Sequence, residues 1–181
     1  MRVLIVGPQG AGKGTQAALL AENLSVPHIS TGDIFRDNAG AGTELGLLAK
    51  RYMDSGELVP DEVTSAMVSA RLAEPDAEPG FLLDGFPRTA PQAKWLEGLL
   101  AERGQKIDAV LLLDVPDDVQ LERMLVRGRA DDTVEAISRR LELYHTETKP
   151  LLDFYANLVV PVDGVGRIDV VQQRALSALN R

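Results

Sequence analysis

No cysteine occurs among the 181 residues. Its absence excludes a disulfide scaffold, a cysteine nucleophile and any thiolate zinc centre, and it fits a reducing compartment. Aromatic residues are scarce, at 4%, too few to build a platform that stacks nucleic-acid bases. Long apolar runs are missing as well. Val3–Val6 breaks at Gly7-Pro8 and Ala109–Leu113 is only five residues long, whereas a secretory signal needs roughly 7–15 apolar residues and a bilayer span needs roughly 20. The expectation is a cytoplasmic chain that engages no membrane. Positive charge is also in deficit, with 19 Lys+Arg against 27 Asp+Glu and a net charge of −8. Such a surface repels nucleic acid over most of its extent. Any phosphate chemistry must therefore come from a local basic cluster.

What is present is an alternation of short and long segments. Val3–Val6, Phe81–Leu83, Ala109–Leu113 and Leu158–Val162 are brief runs of Val, Ile and Leu, with Pro27–Ile29 as a further short strand. Runs of this kind suit strands buried on both faces of a parallel sheet. Between them, Lys13–Leu24, Asp61–Ala73, Gln92–Arg103, Val134–His145 and Ile168–Leu179 carry apolar residues at helical spacing. Pro116, Asp117 and Asp118 mark another helix start before Val119 and Met124. The alternation predicts an α/β fold of three layers around a central parallel five-stranded sheet, with ligands at the C-terminal ends of the strands. Ser30–Val59 breaks it, being helical in pattern with no strand that returns to the sheet. Val126–Asp132 also stands apart, short and first basic, then acidic.

Gly7-Pro-Gln-Gly10-Ala-Gly12-Lys13-Gly14-Thr15 follows the first strand and opens the first long helix. This is the G-x-x-x-x-G-K pattern in its strand–loop–helix setting. Glycines let successive N–H groups turn inward, the helix N-terminus adds positive potential, and Lys13 reaches the outer phosphates. The position after the lysine is Gly14, not the Ser or Thr that holds Mg²⁺ in the strict pattern. A metal held through water by a carboxylate is the expected substitute.

Together, G-P-Q-G-A-G-K-G-T at 7–15, S-T-G-D-I-F-R at 30–36, E-L-V-P at 57–60, D-G-F-P-R-T at 84–89 and R-A-D-D at 129–132 resemble the bacterial adenylate kinases among the nucleoside monophosphate kinases. The resemblance runs in order over essentially the whole chain. It implies a P-loop core over 1–29, 60–125 and 133–181, a flap over 30–59 that binds the monophosphate, and a short lid over 126–132. It implies reversible phosphoryl transfer from MgATP to AMP, giving two ADP, by a monomer that needs Mg²⁺ and no zinc. Two residues depart from the family's habits: Gln9 stands for a common Pro, and Val126 for a frequent Gly beside the lid arginine.

By this resemblance Gly10, Ala11, Gly12, Lys13, Gly14 and Thr15 hold the donor phosphates, and Arg123 and Gly166 flank the donor adenine. Arg36 and Arg88 grip the AMP phosphate, and Arg127, Arg129 and Arg140 meet the transferring phosphoryl group. Thr31, Glu57, Leu58, Val59, Gly85, Phe86, Pro87 and Gln92 surround AMP. Asp84 holds Mg²⁺ through water; Asp33 serves the metal shell or caps a helix as part of Ser30-Thr-Gly-Asp33. Gln92 pairs with adenine or closes the box Thr89-Ala-Pro-Gln92. His28 and His145 fall outside every motif and read as structural or exposed, and Trp95 and Met67 as core. The alternatives are a UMP/CMP kinase of the same class and a P-loop switch that binds one nucleotide.

Overall fold

The computed structural model describes residues 1–129 and 131–180; Ala130, inside the expected lid, and Arg181 lie outside the described residues. Five parallel strands form the central sheet: β1 (Arg2–Val6), β2 (His28–Ser30), β3 (Phe81–Asp84), β4 (Ala109–Asp114) and β5 (Val159–Asp163), in the order β2-β3-β1-β4-β5. β1 pairs with β3 (Ile5 beside Asp84) and with β4 (Val6 beside Leu112), so the three strands end along one edge.

The layers follow from the two-residue alternation of a strand. Val3 and Ile5 turn to one face with Leu82 and Leu111, where they meet Ala17 and Leu20 of α1 (Lys13–Leu24) and Val171 and Ala175 of α9 (Ile168–Leu179). Leu4 and Val6 turn to the other face. There they join Val68 and Leu72 of α4 (Asp61–Leu72), Leu96 and Leu100 of α5 (Ala90–Glu102), and Leu151 of α8 (Leu151–Phe154). Residues buried on both faces explain why the strands read as unbroken apolar runs. Trp95 packs against this second core.

The flap consists of α2 (Thr31–Gly40) and α3 (Glu44–Ser55). Ser30 ends β2 and caps α2, its hydroxyl accepting from the Asp33 N–H at 3.2 Å. Phe35, Ala49 and Val59 form a small core of their own, with Met67 of α4 packed against it. α6 (Asp117–Arg127) and α7 (Val134–Leu143) follow β4. Pro116 stands just before α6 rather than inside its first turn, and α6 takes in Val126 and Arg127 at the start of the expected lid. α7 gives way to a π-helical turn over Tyr144–Thr148, where the sequence pattern predicted a plain helix as far as His145.

The sheet ends in a three-residue β2 and in β5, which carries the exposed Pro161. The Val110 N–H donates to the Leu158 carbonyl at 2.9 Å. By strand alternation Leu158, Val160 and Val162 therefore turn their backbone groups to β4, and Pro161 turns outward. Among the described residues no helix is long and apolar enough to cross a membrane.

Candidate active site

The loop from Gly7 to Gly12 leaves the buried end of β1 and turns into α1. Gly10 has φ 79, and a Cβ there would lie 2.5 Å from the Gln120 carbonyl oxygen, so no other residue fits. Gly12 caps α1 with φ 91 and supplies no side chain, and the first turn holds no acid. The opening N–H groups of α1 are thereby left for an anion. Beside them the Lys13 ammonium donates to the Pro8 carbonyl at 2.7 Å. Burial pushes the Lys13 pKa down to about 8; Asp84 opposes the shift, and Arg88, Arg127 and Arg129 reinforce it.

A cleft of about 700 Å³ opens over this loop. Gly10, Ala11, Gly12, Lys13, Gly14 and Thr15 line it, and so do Asp33, Arg36, Asp84, Gly85, Arg88, Arg123, Arg127, Arg129 and Gly166. Arg123 reaches from α6 across the loop, donating to the carbonyls of Ala11 at 3.4 Å and Gly164 at 3.2 Å. It ties the phosphate loop to the segment after β5.

A second cavity lies under the flap, lined by Thr31, Arg36, Glu57, Leu58, Val59, Gly85, Arg88, Gln92, Arg129 and Arg140. Arg36, Gly85, Arg88 and Arg129 border both spaces. Pro87 lines a small recess between them, beside Lys13 and Arg88. Phe86 alone among the expected AMP contacts turns away. It is 1% exposed in the core, edge-on to Trp95 at 5.8 Å, because Gly85, with φ 83, swings the chain inward there.

Carboxylates hold Arg36, Arg127 and Arg140. Asp132 accepts from Arg127 Nη2 at 2.6 Å, from the Arg129 N–H at 3.1 Å and from Arg140 Nη1 at 3.0 Å. Burial opposes ionisation of Asp132, yet the Arg127 hydrogen bond and charge hold its pKa below the usual carboxylate range. Arg140 also pairs with Asp131 and donates to the Met53 carbonyl of the flap at 2.8 Å. Arg36 pairs with Asp33, whose carboxyl is likewise held low by Arg36 against the pull of burial. Asp33 therefore spends its N–H on the Ser30 cap and its carboxylate on Arg36. Burial pushes the Arg88 guanidinium below its ordinary value, with Asp84 opposing and Arg140 and Arg36 adding to the effect. Its Nε donates to the Gly85 carbonyl at 2.9 Å.

Gln92 fills its expected capping role in part. Its N–H is capped by the Thr89 hydroxyl at 3.3 Å. Its side chain does not return to Thr89: Oε1 accepts from the Arg88 N–H at 2.7 Å and Nε2 donates to Asp61 Oδ1 at 2.7 Å. The Thr31 hydroxyl faces the Asp84 carbonyl at 3.4 Å. Glu57 turns its carboxylate to Arg139 of α7, at 2.6 Å.

Asp84 is the acid best placed for a metal. It ends β3, is 8% exposed and faces the open Cα of Gly14, where an added Cβ would lie 3.9 Å from its Oδ2. No group of three or more His, Cys, Asp or Glu able to hold an ion occurs among the described residues. One carboxylate beside a phosphate cradle fits Mg²⁺, which keeps most of its waters and leans on phosphates. His28, expected to be structural or exposed, lines this cleft, with Nε2 3.7 Å from Asp84 Oδ2. His145 is exposed, as expected, and lies 3.6 Å from Asp117 Oδ2. Asp61, Asp132, Arg139 and His28 had no role assigned from the sequence, and only Asp132 lay in a quoted motif.

This arrangement defines a P-loop protein that handles nucleotide phosphates at the carboxyl edge of a parallel sheet. The chain belongs to the adenylate kinase family: its residues 5–160 match the family model "Adenylate kinase". An "Adenylate kinase" of Nocardia farcinica (strain IFM 10152) is 59% identical over 181 residues, 100% of each chain. One from Rhodococcus erythropolis is 55% identical and one from Corynebacterium glutamicum (strain R) 54%, each over 100% of both chains.

Proposed function

We propose that the chain transfers the γ-phosphoryl group of MgATP reversibly to AMP, giving two ADP. The observation that carries this reading is the shared arginine wall: two cavities meet at Arg36, Arg88 and Arg129. A switch that binds one nucleotide has no use for the second cavity. The nucleophile is an oxygen of the AMP phosphate, already anionic, so no general base is required and catalysis is positioning plus charge neutralisation.

Lys13 and the N–H groups of Gly10, Ala11, Gly12, Gly14 and Thr15 bind the donor phosphates. Arg36 and Arg88 grip the acceptor phosphate, and Arg127, Arg129 and Arg140 stabilise the moving group. Asp132, Asp131 and Asp33 keep Arg127, Arg140 and Arg36 oriented until phosphate oxygens take their place, which guanidinium forks bind bidentately. Arg123 and the backbone at Gly166 hold the donor base. Thr31, Gln92, Leu58, Val59 and the backbones of Glu57, Gly85, Phe86 and Pro87 enclose the acceptor nucleoside. Asp84 would hold Mg²⁺ through its waters, with Asp33 further out beside its Arg36 partner, and a bound ion would supply positive charge against the donor phosphates. Zinc has no part, because a chain without cysteine lacks the thiolate ligands of a structural zinc lid. The flap (30–59) and short lid (126–132) move against the rest of the chain and exclude water, which would otherwise compete with AMP.

The protein works as a cytoplasmic monomer on free nucleotides, apart from nucleic acid and membranes. The test mixes the protein with MgATP and each nucleoside monophosphate and follows ADP. Fast ADP formation with AMP alone is the expected result. Preference for UMP or CMP, or slow hydrolysis with no acceptor effect, overturns the proposal.

A further inference from the structure

Gln92 lines the acceptor cavity with Thr31 and Val59 and is itself 3% exposed. A glutamine amide offers an oxygen acceptor and an N–H donor side by side, and turning it over by 180° exchanges the two. The Watson–Crick edge of adenine presents a donor at N6 and an acceptor at N1. Hypoxanthine presents the reverse, an acceptor at O6 and a donor at N1. A freely turning glutamine therefore pairs equally well with either base. Discrimination between them needs something that stops the amide from turning.

The surroundings of Gln92 supply it. On one side the Arg88 N–H donates to Oε1 at 2.7 Å; on the other Nε2 donates to Asp61 Oδ1 at 2.7 Å. A backbone N–H can only donate and a carboxylate can only accept. In the turned amide Nε2 would face the Arg88 N–H and Oε1 would face the Asp61 carboxylate, so two hydrogen bonds become two contacts of like polarity. Leaving buried polar groups unpaired is costly, and that cost is what makes hydrogen-bonded sites selective. Asp61 is well fixed for the task. It is the first residue of α4, and its second oxygen lies 3.5 Å from the Thr89 hydroxyl at the start of α5.

Resting on the proposed AMP reading, we infer that Asp61 is a specificity-determining positioning residue: it locks the Gln92 amide in the one orientation that accepts a 6-aminopurine and rejects a 6-oxopurine. After the two bonds, one lone pair on Oε1 and one N–H on Nε2 remain for the base, in the order that adenine needs. Asp61 touches no substrate and acts through Gln92 alone.

The test measures kcat/KM at saturating MgATP with AMP and with IMP for the wild type, Asp61→Asn and Asp61→Glu. Asparagine is isosteric but offers both a donor and an acceptor, so it tolerates either orientation of the amide. The AMP-to-IMP ratio is expected to fall by about tenfold or more in Asp61→Asn, since one bidentate base contact is worth about that much discrimination. The fall should come from the KM values of the two acceptors, with the KM for MgATP unchanged. Asp61→Glu, which keeps an acceptor-only group, should hold the ratio within about threefold of the wild type, well inside the span of a single bidentate contact. Asp61→Ser removes the carboxylate but keeps a small polar residue in the first turn of α4, and it replaces Asp61→Asn with the same expectation if that variant does not fold. A ratio unchanged in the neutral variants, or lowered equally in Asp61→Glu, overturns the inference. A wild type that makes no ADP from AMP is a different result and overturns the proposed function instead.

Discussion

The proposed donor and acceptor sides of the molecule are built on opposite principles. The donor side hangs on β1, whose Val3, Leu4, Ile5 and Val6 are at most 4% exposed, and its phosphate loop leaves the backbone N–H groups at the start of α1 without a side-chain cap. The acceptor side rests on a small separate core around Phe35, Ala49 and Val59, and on side chains that already hold other partners: Arg36 with Asp33, Glu57 with Arg139, Arg140 with Met53 and two aspartates. A backbone cradle fixed to a core is rigid and always ready. A set of ion pairs can be exchanged, so it suits the part that must close over a second substrate and release it.

The largest expected effect falls on the donor side. Lys13→Met should lower kcat/KM by about a thousandfold, as for loss of a charged group aimed at the transition state. It should at the same time raise the melting temperature, because burial disfavours the ammonium in the folded state. The sign follows from linkage. A folded pKa lowered from 10.5 to about 8 means that the unfolded chain binds more protons between those values. The wild type should therefore gain stability as pH rises through that window, while Lys13→Met should not. Thermal melts of both proteins at several pH values check this; a variant no more stable than the parent at pH 7 breaks the account of Lys13. In the same range, phosphate binding by the free protein should weaken as the ammonium loses its proton.

Arg88→Ala, at the wall shared by both sides, should cost more than about a hundredfold in kcat/KM with little change in melting temperature. Steady-state kinetics with both substrates decide it, and near-normal turnover removes Arg88 from the catalytic set. The smallest effect sharpens the contrast. Gly56 caps α3 with φ 78, and a Cβ there would lie 2.5 Å from the Ala136 carbonyl oxygen of α7. Gly56→Ala should push the flap off α7 and raise the KM for AMP by about tenfold, the equivalent of one to two kcal/mol of backbone strain. The KM for MgATP should stay within about twofold, since the donor cradle makes no use of this seam. Equal changes in both constants contradict the separation of the two sides.

Much of this was legible in the chain itself. The apolar runs of β1, β3 and β4 place the sheet, and Gly7–Thr15 places the loop between β1 and α1, because both depend on neighbours in sequence. Helix starts at Ser30 and Thr89 were readable for the same reason. What escaped depends on pairs far apart in the chain. Gln92 and Asp61 are 31 residues apart, and Glu57 and Arg139 are 82 apart. His28 reached the cleft only because β2 lies next to β3, in a register that sets Ser30 beside Asp84. The place of the Phe86 ring escapes for the opposite reason: its position inside a motif hides the turn at Gly85 that sends the ring into the core.

The outer edge of the sheet has a consequence that concerns neither nucleotide. Pro161 stands in β5 with its ring where a neighbouring chain would look for an N–H, and the opposite edge, β2, offers only three residues before α2 begins. An open parallel sheet is a template on which further strands can grow, and proteins blunt that hazard with prolines and short edges. Here both ends of the sheet are blunted, so copies of the chain can be concentrated without stitching into aggregates through their strands.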